Sequence, residues 1–136
     1  MKHCFVDTNL FVRYLTADDP VKADRVENLL NKAAAGAVKL ITADLVLVEL
    51  IWVLESAYDL HSEQIAPMIK AILSTPGLEI INGDIVDRAL NNYELKKIDF
   101  VDSYIAALMV KHNISDIYSF DRKHLSRLSG LKRIQP

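Results

Sequence analysis

Cys4-Phe5-Val6-Asp7-Thr8-Asn9 is the stretch whose reading decides the fold: three apolar residues that stop on a carboxylate. An apolar run this short, closed by a polar residue, predicts a fully buried strand over 4–6. A short helix is expected directly behind it, over 9–15. Asp18-Asp19-Pro20 then reads as a helix start, with proline in the first turn and carboxylates near the positive end. That helix carries Val26, Leu29, Leu30, Ala33 and Ala34 inward and stops near Gly36. The alternation continues with a strand over 38–41. Thr42 is the expected cap of a helix over 43–58. Ser62 is the expected cap of another over 63–73, in which Pro67 strains the first turns. Pro76-Gly77 is a turn before a strand over 78–81, and a helix follows over 84–96. Asp99 caps a helix over 100–112, with Asn113 as its stop. A strand over 117–119 runs into Asp121, and a last short strand lies over 131–134. With no repeat, linker or low-complexity segment between these elements, one domain over 1–136 is expected.

Short apolar strands alternating with helices predict an α/β fold with a mainly parallel sheet. Such sheets bury both faces, which accounts for continuous runs such as Cys-Phe-Val. Ligands in open α/β sheets bind outside the carboxyl ends of the strands. Chemistry is therefore sought just after Val6, Ile41, Ile81 and Ser119.

Composition narrows the function. The chain has 136 residues, 51% hydrophobic and 25% charged, with 16 basic and 18 acidic residues for a net charge of −2. That is globular composition, and it excludes nucleic-acid binding driven by bulk positive charge. Four dispersed glycines (Gly36, Gly77, Gly83, Gly130) cannot build a glycine-rich phosphate loop. The single cysteine, Cys4, can form neither an internal disulfide nor a cysteine zinc site, and reads as a small core residue. Lys2, His3 and Asp7 interrupt any apolar opening of signal type, and the longest apolar run is broken by Glu49. The expectation is a cytoplasmic protein with no membrane contact.

Three sets of carboxylates stand out. Asp7 and Asp121 each follow a strand, so parallel neighbours would bring both to one edge; each is equally suited to a cap or turn. Glu49 sits among Leu45, Trp52 and Val53 at helical spacing, with Asp44 and Glu55 on the polar side. Burying a lone glutamate costs several kcal/mol unless it is paired, protonated or metal-bound. An exposed face whose apolar neighbours pack on a partner is the other reading. Asp99 and Asp102 flank the start of a helix, where the dipole favours negative charge by about 0.3–1 kcal/mol. Asp102 is also one turn before Ile105 and Ala106, at the mouth of the core. Carboxylates converging at a strand-end crevice stay ionised together only around a cation. Oxygen donors suit Mg²⁺ or Mn²⁺, and hydrolysis of a phosphodiester is the matching reaction class.

The motifs resemble those of PIN-domain nucleases. Phe5-Val6-Asp7-Thr8-Asn9 is similar to that family's opening motif, and Glu49 stands on the following long helix as the family's glutamate does. Asp99-Phe100-Val101-Asp102-Ser103-Tyr104-Ile105-Ala106-Ala107 resembles the third motif and Ser119-Phe120-Asp121-Arg122 the fourth. Length and order resemble most the VapC-type ribonuclease toxins of type II toxin–antitoxin systems. The resemblance implies a PIN-like three-layer α/β domain, a central mainly parallel sheet flanked by helices. It implies Asp7, Glu49, Asp102 and Asp121 as catalytic acids holding one or two Mg²⁺ or Mn²⁺ ions, with Asp99 accessory. It implies Thr8, Asn9 and Ser119 as ligand-orienting residues, and endoribonuclease activity leaving a 5′-phosphate and a 3′-hydroxyl. It further implies a VapB-like antitoxin as partner and a toxin homodimer. The alternatives are a catalytically silent PIN-like domain that binds RNA or protein, and a receiver-type signalling domain. The complete acidic set speaks against the first, and the single acid after the first strand against the second.

Charge is unevenly placed. Residues 120–136 hold five basic residues and one acidic, for +4, leaving −6 on residues 1–119. Arg122, Lys123 and Arg127 are therefore the expected RNA contacts. Arg13 reaches either the crevice or an ion pair with Asp18 or Asp19. Trp52 and Tyr58 read first as core. Yet residues 45–54 are apolar almost all round, which suggests a dimer or antitoxin interface. His61, His112 and His124 lack metal-ligand spacing and read as surface or capping residues.

Overall fold

The structure, a computed structural model, describes residues 1–120, 128 and 130–136. Asp121, Arg122, Lys123, His124 and Arg127 lie outside the described residues. The chain forms two compact units, Met1–Gly83 and Asp84–Pro136. Among the described residues, no helix is long and apolar enough to cross a membrane.

The first unit is built on a parallel sheet of β1 (Lys2–Phe5), β2 (Val38–Ala43) and β3 (Leu78–Ile81), with β2 in the middle. Helices α1 (Thr8–Thr16) and α2 (Pro20–Ala34) make the crossover from β1 to β2. Helices α3 (Asp44–Ser56) and α4 (Ser62–Leu73) make the crossover from β2 to β3. Such connections are what parallel neighbours require. The strand expected over 4–6 sits earlier and is not fully buried. Among the described residues of its sheet β1 pairs with β2 at one end of the order, Cys4 is half-buried and Phe5 is 61% exposed. Val6, just past the strand, is the residue that enters the core.

Helix starts follow local chemistry. Asp19 caps α2 by accepting from the Lys22 N–H at 3.1 Å, with Pro20 in the first turn as expected. The chain leaves α2 through Gly36 at φ +84°. Two expected caps are corrected. Thr42 does not cap α3: it lies in β2 with its side chain buried, and Ala43 precedes the helix without a side-chain bond. His61, not Ser62, stands at the start of α4, where its N–H donates to Gln64 Oε1 at 2.9 Å. Pro67 falls in the second turn of α4 and the helix runs through it, forgoing one backbone bond.

α3 is apolar on two faces, but only one is buried. Leu47, Leu50, Ile51 and Leu54 are at most 1% exposed. Leu45 and Trp52 are 76% and 65% exposed, so Trp52 is not a core residue. Past the end of α3, the half-buried Tyr58 reaches the α1–α2 corner, where its hydroxyl donates to Asp18 Oδ2 at 2.8 Å. Asp18 also accepts from Thr16 Oγ1 at 3.0 Å and pairs with Arg13 at 3.3 Å. Arg13 therefore takes the ion-pair role. The Tyr58 hydroxyl, then Thr16 and Arg13, hold the Asp18 carboxyl below its ordinary value of 3.8. A carboxylate lowered in the folded state adds stability above its unfolded pKa, lost as pH falls through the folded value. Tyr58→Phe is expected to move Asp18 back up towards 3.8 and shrink this acid-side contribution. An NMR titration of the Asp18 carboxyl carbon checks it.

The second unit contains α5 (Gly83–Leu95, from Asp84 on), α6 (Phe100–Lys111), β4 (Asp116–Tyr118) and β5 (Lys132–Ile134). β4 and β5 pair in parallel, Asp116 opposite Lys132. Ile98, Ala106 and Leu128 form a buried cluster against which Ile117 and Leu131 pack. Tyr93 and Phe100 meet edge to face at 5.5 Å and 89°. Asn113 stops α6 as expected, in the left-handed region at φ +57°.

Candidate functional site

At the carboxyl end of β1 the backbone is held from two sides. The Val6 N–H donates to the Ile41 carbonyl at 2.8 Å. The Val6 carbonyl accepts from the buried Thr42 hydroxyl at 2.9 Å. Strand pairing and a side-chain hydroxyl from the central strand thus fix the residue immediately before Asp7. Thr42→Val removes the hydroxyl at nearly constant volume and leaves a buried carbonyl short of a donor. The expected loss is about 1–3 kcal/mol. It is read as a lower urea midpoint with unchanged m-value, with Thr42→Ser recovering the bond.

Asp7 itself is exposed and caps α1, its Oδ1 accepting from the Thr8 N–H at 2.6 Å. The positive end of the α1 dipole favours an anion at this position. Thr8 is 4% exposed, and its hydroxyl makes no hydrogen bond to a described residue. A buried polar group without a partner is uncommon and calls for an explanation. Asn9 is exposed in the first turn of α1.

Glu49 lies on α3, the helix that follows β2. It is exposed between Leu45 and Trp52, with no hydrogen bond or ion pair to a described residue. Glu49 is therefore not buried and does not carry the expected desolvation cost. The stripe it shares is a solvent-facing apolar one, with the buried face turned the other way.

In the second unit Asp99 caps α6, its Oδ2 accepting from the Val101 N–H at 3.1 Å. Asp102 is half-buried in the first turn of α6. Ser103, next along, is fully buried and donates to the Ile98 carbonyl at 3.3 Å. Ser119 follows β4, its N–H donating to the Ile134 carbonyl at 3.0 Å and its carbonyl accepting from Arg133 Nη1 at 3.0 Å. Among the described residues, no three His, Cys, Asp or Glu side chains are gathered into a group that could hold a metal ion. Asp121 lies outside those residues.

The donor chemistry fits a hard divalent cation. Asp7 and Glu49 are exposed carboxylates with no cation paired to them, and the Thr8 hydroxyl is an oxygen with no hydrogen-bond partner, in each case among the described residues. Sequence reasoning missed two features here. One is Thr42 as the residue that fixes Val6, because a buried hydroxyl on a strand and a helix cap look alike in sequence. The other is a group of cations on α1 and α2, Arg13, Lys22 and Arg25, whose convergence depends on how the two helices pack.

Residues 4–131 match the family model of the PIN domain. The chain is 22% identical over 131 residues to a VapC ribonuclease of Aquifex aeolicus (strain VF5), covering 96% of this chain and 95% of that protein. Among solved structures it is similar to the crystal structure of VapBC2 from Rickettsia felis bound to a DNA fragment from their promoter. That likeness has 20% identity over 99% of this chain and 98% of the other, with a TM-score of 0.39.

Proposed function

The chain belongs to the PIN domain family, and from that premise we propose that it is a metal-dependent endoribonuclease, the toxin of a VapBC-like type II toxin–antitoxin pair. The observation that carries this reading is Asp7, an exposed carboxylate on a doubly held backbone at the carboxyl end of a parallel strand. The similarity to a VapC ribonuclease over nearly the whole chain supports RNA as the substrate. In this reading residues 1–136 act as one PIN-like domain.

Asp7, Glu49, Asp102 and Asp121 are proposed to hold Mg²⁺ or Mn²⁺, with Asp99 accessory. A divalent cation bound there supplies charge neutralisation for the phosphodiester and lowers the pKa of water. The chain's own residues position the reaction. Thr42 and Ile41 hold the Val6 backbone, so that Asp7 is presented at a fixed point. The Thr8 N–H orients the Asp7 carboxylate through Oδ1, leaving Oδ2 to the ligand. Thr8 and Asn9 hydrogen-bond the substrate or its water, as Ser119 does from the end of β4. Arg122, Lys123 and Arg127 contact RNA phosphates. The solvent-facing Leu45 and Trp52 serve protein contacts, with the antitoxin or a second copy of the chain.

Cleavage of labelled RNA by the full chain tests the reading. Strand scission is expected with Mn²⁺ or Mg²⁺, to stop on chelation with EDTA, and to return when the cation is restored. Products should carry a 5′-phosphate. Cleavage that persists undiminished in EDTA would overturn the metal-dependent assignment.

A further inference from the structure

Asn9, Leu10 and Arg13 of α1 face Lys22, Arg25 and Val26 of α2 across a cavity of about 380 Å³. Half of the lining residues are cations and none is an acid. Arg13 is held by Asp18 at 3.3 Å, and Lys22 is only 4.0 Å from Asp19. Arg25 is exposed and has neither a hydrogen bond nor an ion pair to a described residue. Like charges three apart on a helix repel each other. Lys22 and Arg25 stand in that relation, and Arg25 has no carboxylate among the described residues to offset it, so an anion beside Arg25 and Lys22 would relieve the repulsion, with Arg13 across the cavity still paired to Asp18.

The cavity reaches the first turn of α1. Asn9 lines it from the first turn of α1, two residues past Asp7, and Arg13 lies one turn further along. Asn9 and Arg13 are thus about 6 Å apart along the helix axis. A strand whose reacting phosphate lies at Asp7 passes from Asn9 onto the cations, which favours a nucleic-acid backbone over an acidic peptide. We propose that Arg13, Lys22 and Arg25, together with Asn9, form a phosphate-binding subsite that grips the RNA backbone beside Asp7. The subsite rests on the ribonuclease reading.

The test uses the full chain carrying Asp7→Asn to suppress cleavage, and measures binding of a labelled single-stranded RNA over a series of KCl concentrations. Adding Lys22→Gln with Arg25→Gln is expected to weaken binding about tenfold at low salt. It is also expected to flatten the slope of log K against log salt by about 1.4, since each phosphate contact on a single strand contributes about 0.7. Lys39→Gln removes a half-buried cation of β2, paired with Glu79 at 3.3 Å and outside the cavity lining, and is expected to leave affinity and slope within twofold of the parent. An unchanged slope in the double variant overturns the subsite, as does an equal loss in Lys39→Gln. Poly-glutamate binding that depends on Lys22 and Arg25 while RNA binding does not would assign the cavity to an acidic peptide instead. If wild type cleaves and the parent binds but the double variant is indistinguishable, only the subsite fails. If wild type does not cleave and the parent binds no RNA, the ribonuclease reading fails with it.

Discussion

Asp7→Asn is expected to slow RNA cleavage by about 1,000-fold, about 4 kcal/mol in the barrier, while leaving the fold in place. The two effects separate because Asp7 caps α1 and, in the proposed reading, also ligates a cation. As a cap it needs only a side-chain oxygen to accept from the Thr8 N–H, now made at 2.6 Å, and asparagine caps helices about as well as aspartate. The lost charge at the α1 N-terminus costs less than about 1 kcal/mol. As a cation ligand it needs the negative charge, which the amide lacks. Initial rates on labelled RNA in Mn²⁺, beside thermal melts of both proteins, check the prediction. A variant that loses activity only in proportion to lost folding would show that Asp7 acts as a cap alone.

Gly77→Ala is expected to destabilise the chain by about 2–5 kcal/mol, combining left-handed strain with overpacking. Gly77 sits at φ +78°, a region that residues with a Cβ enter at a cost. A Cβ there would run into the backbone carbonyl of Ala33 near the end of α2, and would lie 2.9 Å from the Ala33 Cβ. Neither group is the free end of a flexible side chain, so the contact is relieved only by moving α2 off the sheet. The Gly77 carbonyl also accepts from the Leu40 N–H at 3.0 Å, so the same shift strains the central strand. Gly36→Ala provides the comparison. Gly36 has a similar φ of +84° but nothing within 4 Å of the added Cβ, so it bears only the conformational cost of about 1–2 kcal/mol. Urea denaturation of the two variants separates strain from collision, and equal losses would contradict the close approach of α2 at Gly77.

The element order is legible because its signals are local. Asp19-Pro20 opens α2, Gly36 and Asn113 end helices in the left-handed region, and the apolar runs at 38–41 and 78–81 lie within β2 and β3. What is not legible depends on partners distant in sequence. Thr42 reads as a cap until the Val6 carbonyl is seen against its hydroxyl. Phe5 and Trp52 read as core because they are large and apolar, but among the described residues one is on the end strand of its sheet and the other on the solvent-facing side of a doubly apolar helix. Glu49 stands out in the sequence because Leu45 and Trp52 flank it, and all three face solvent. The position of Asp7 at a strand end is readable from the Phe-Val-Asp run and the strand-end rule for parallel sheets. The cavity between α1 and α2 is not, since Asn9 and Arg25 are brought together only by helix packing.

A divalent cation held by carboxylates that include Asp7 is the claim on which the rest depends, and Mn²⁺ binding tests it most directly. The loss of the free Mn²⁺ electron paramagnetic resonance signal, followed on titrating the wild-type chain and Asp7→Asn at neutral pH, reads binding without any RNA present. Saturable Mn²⁺ binding by the wild type that Asp7→Asn weakens at least tenfold is the predicted result. Equal binding by the two proteins, or none by the wild type, would contradict it.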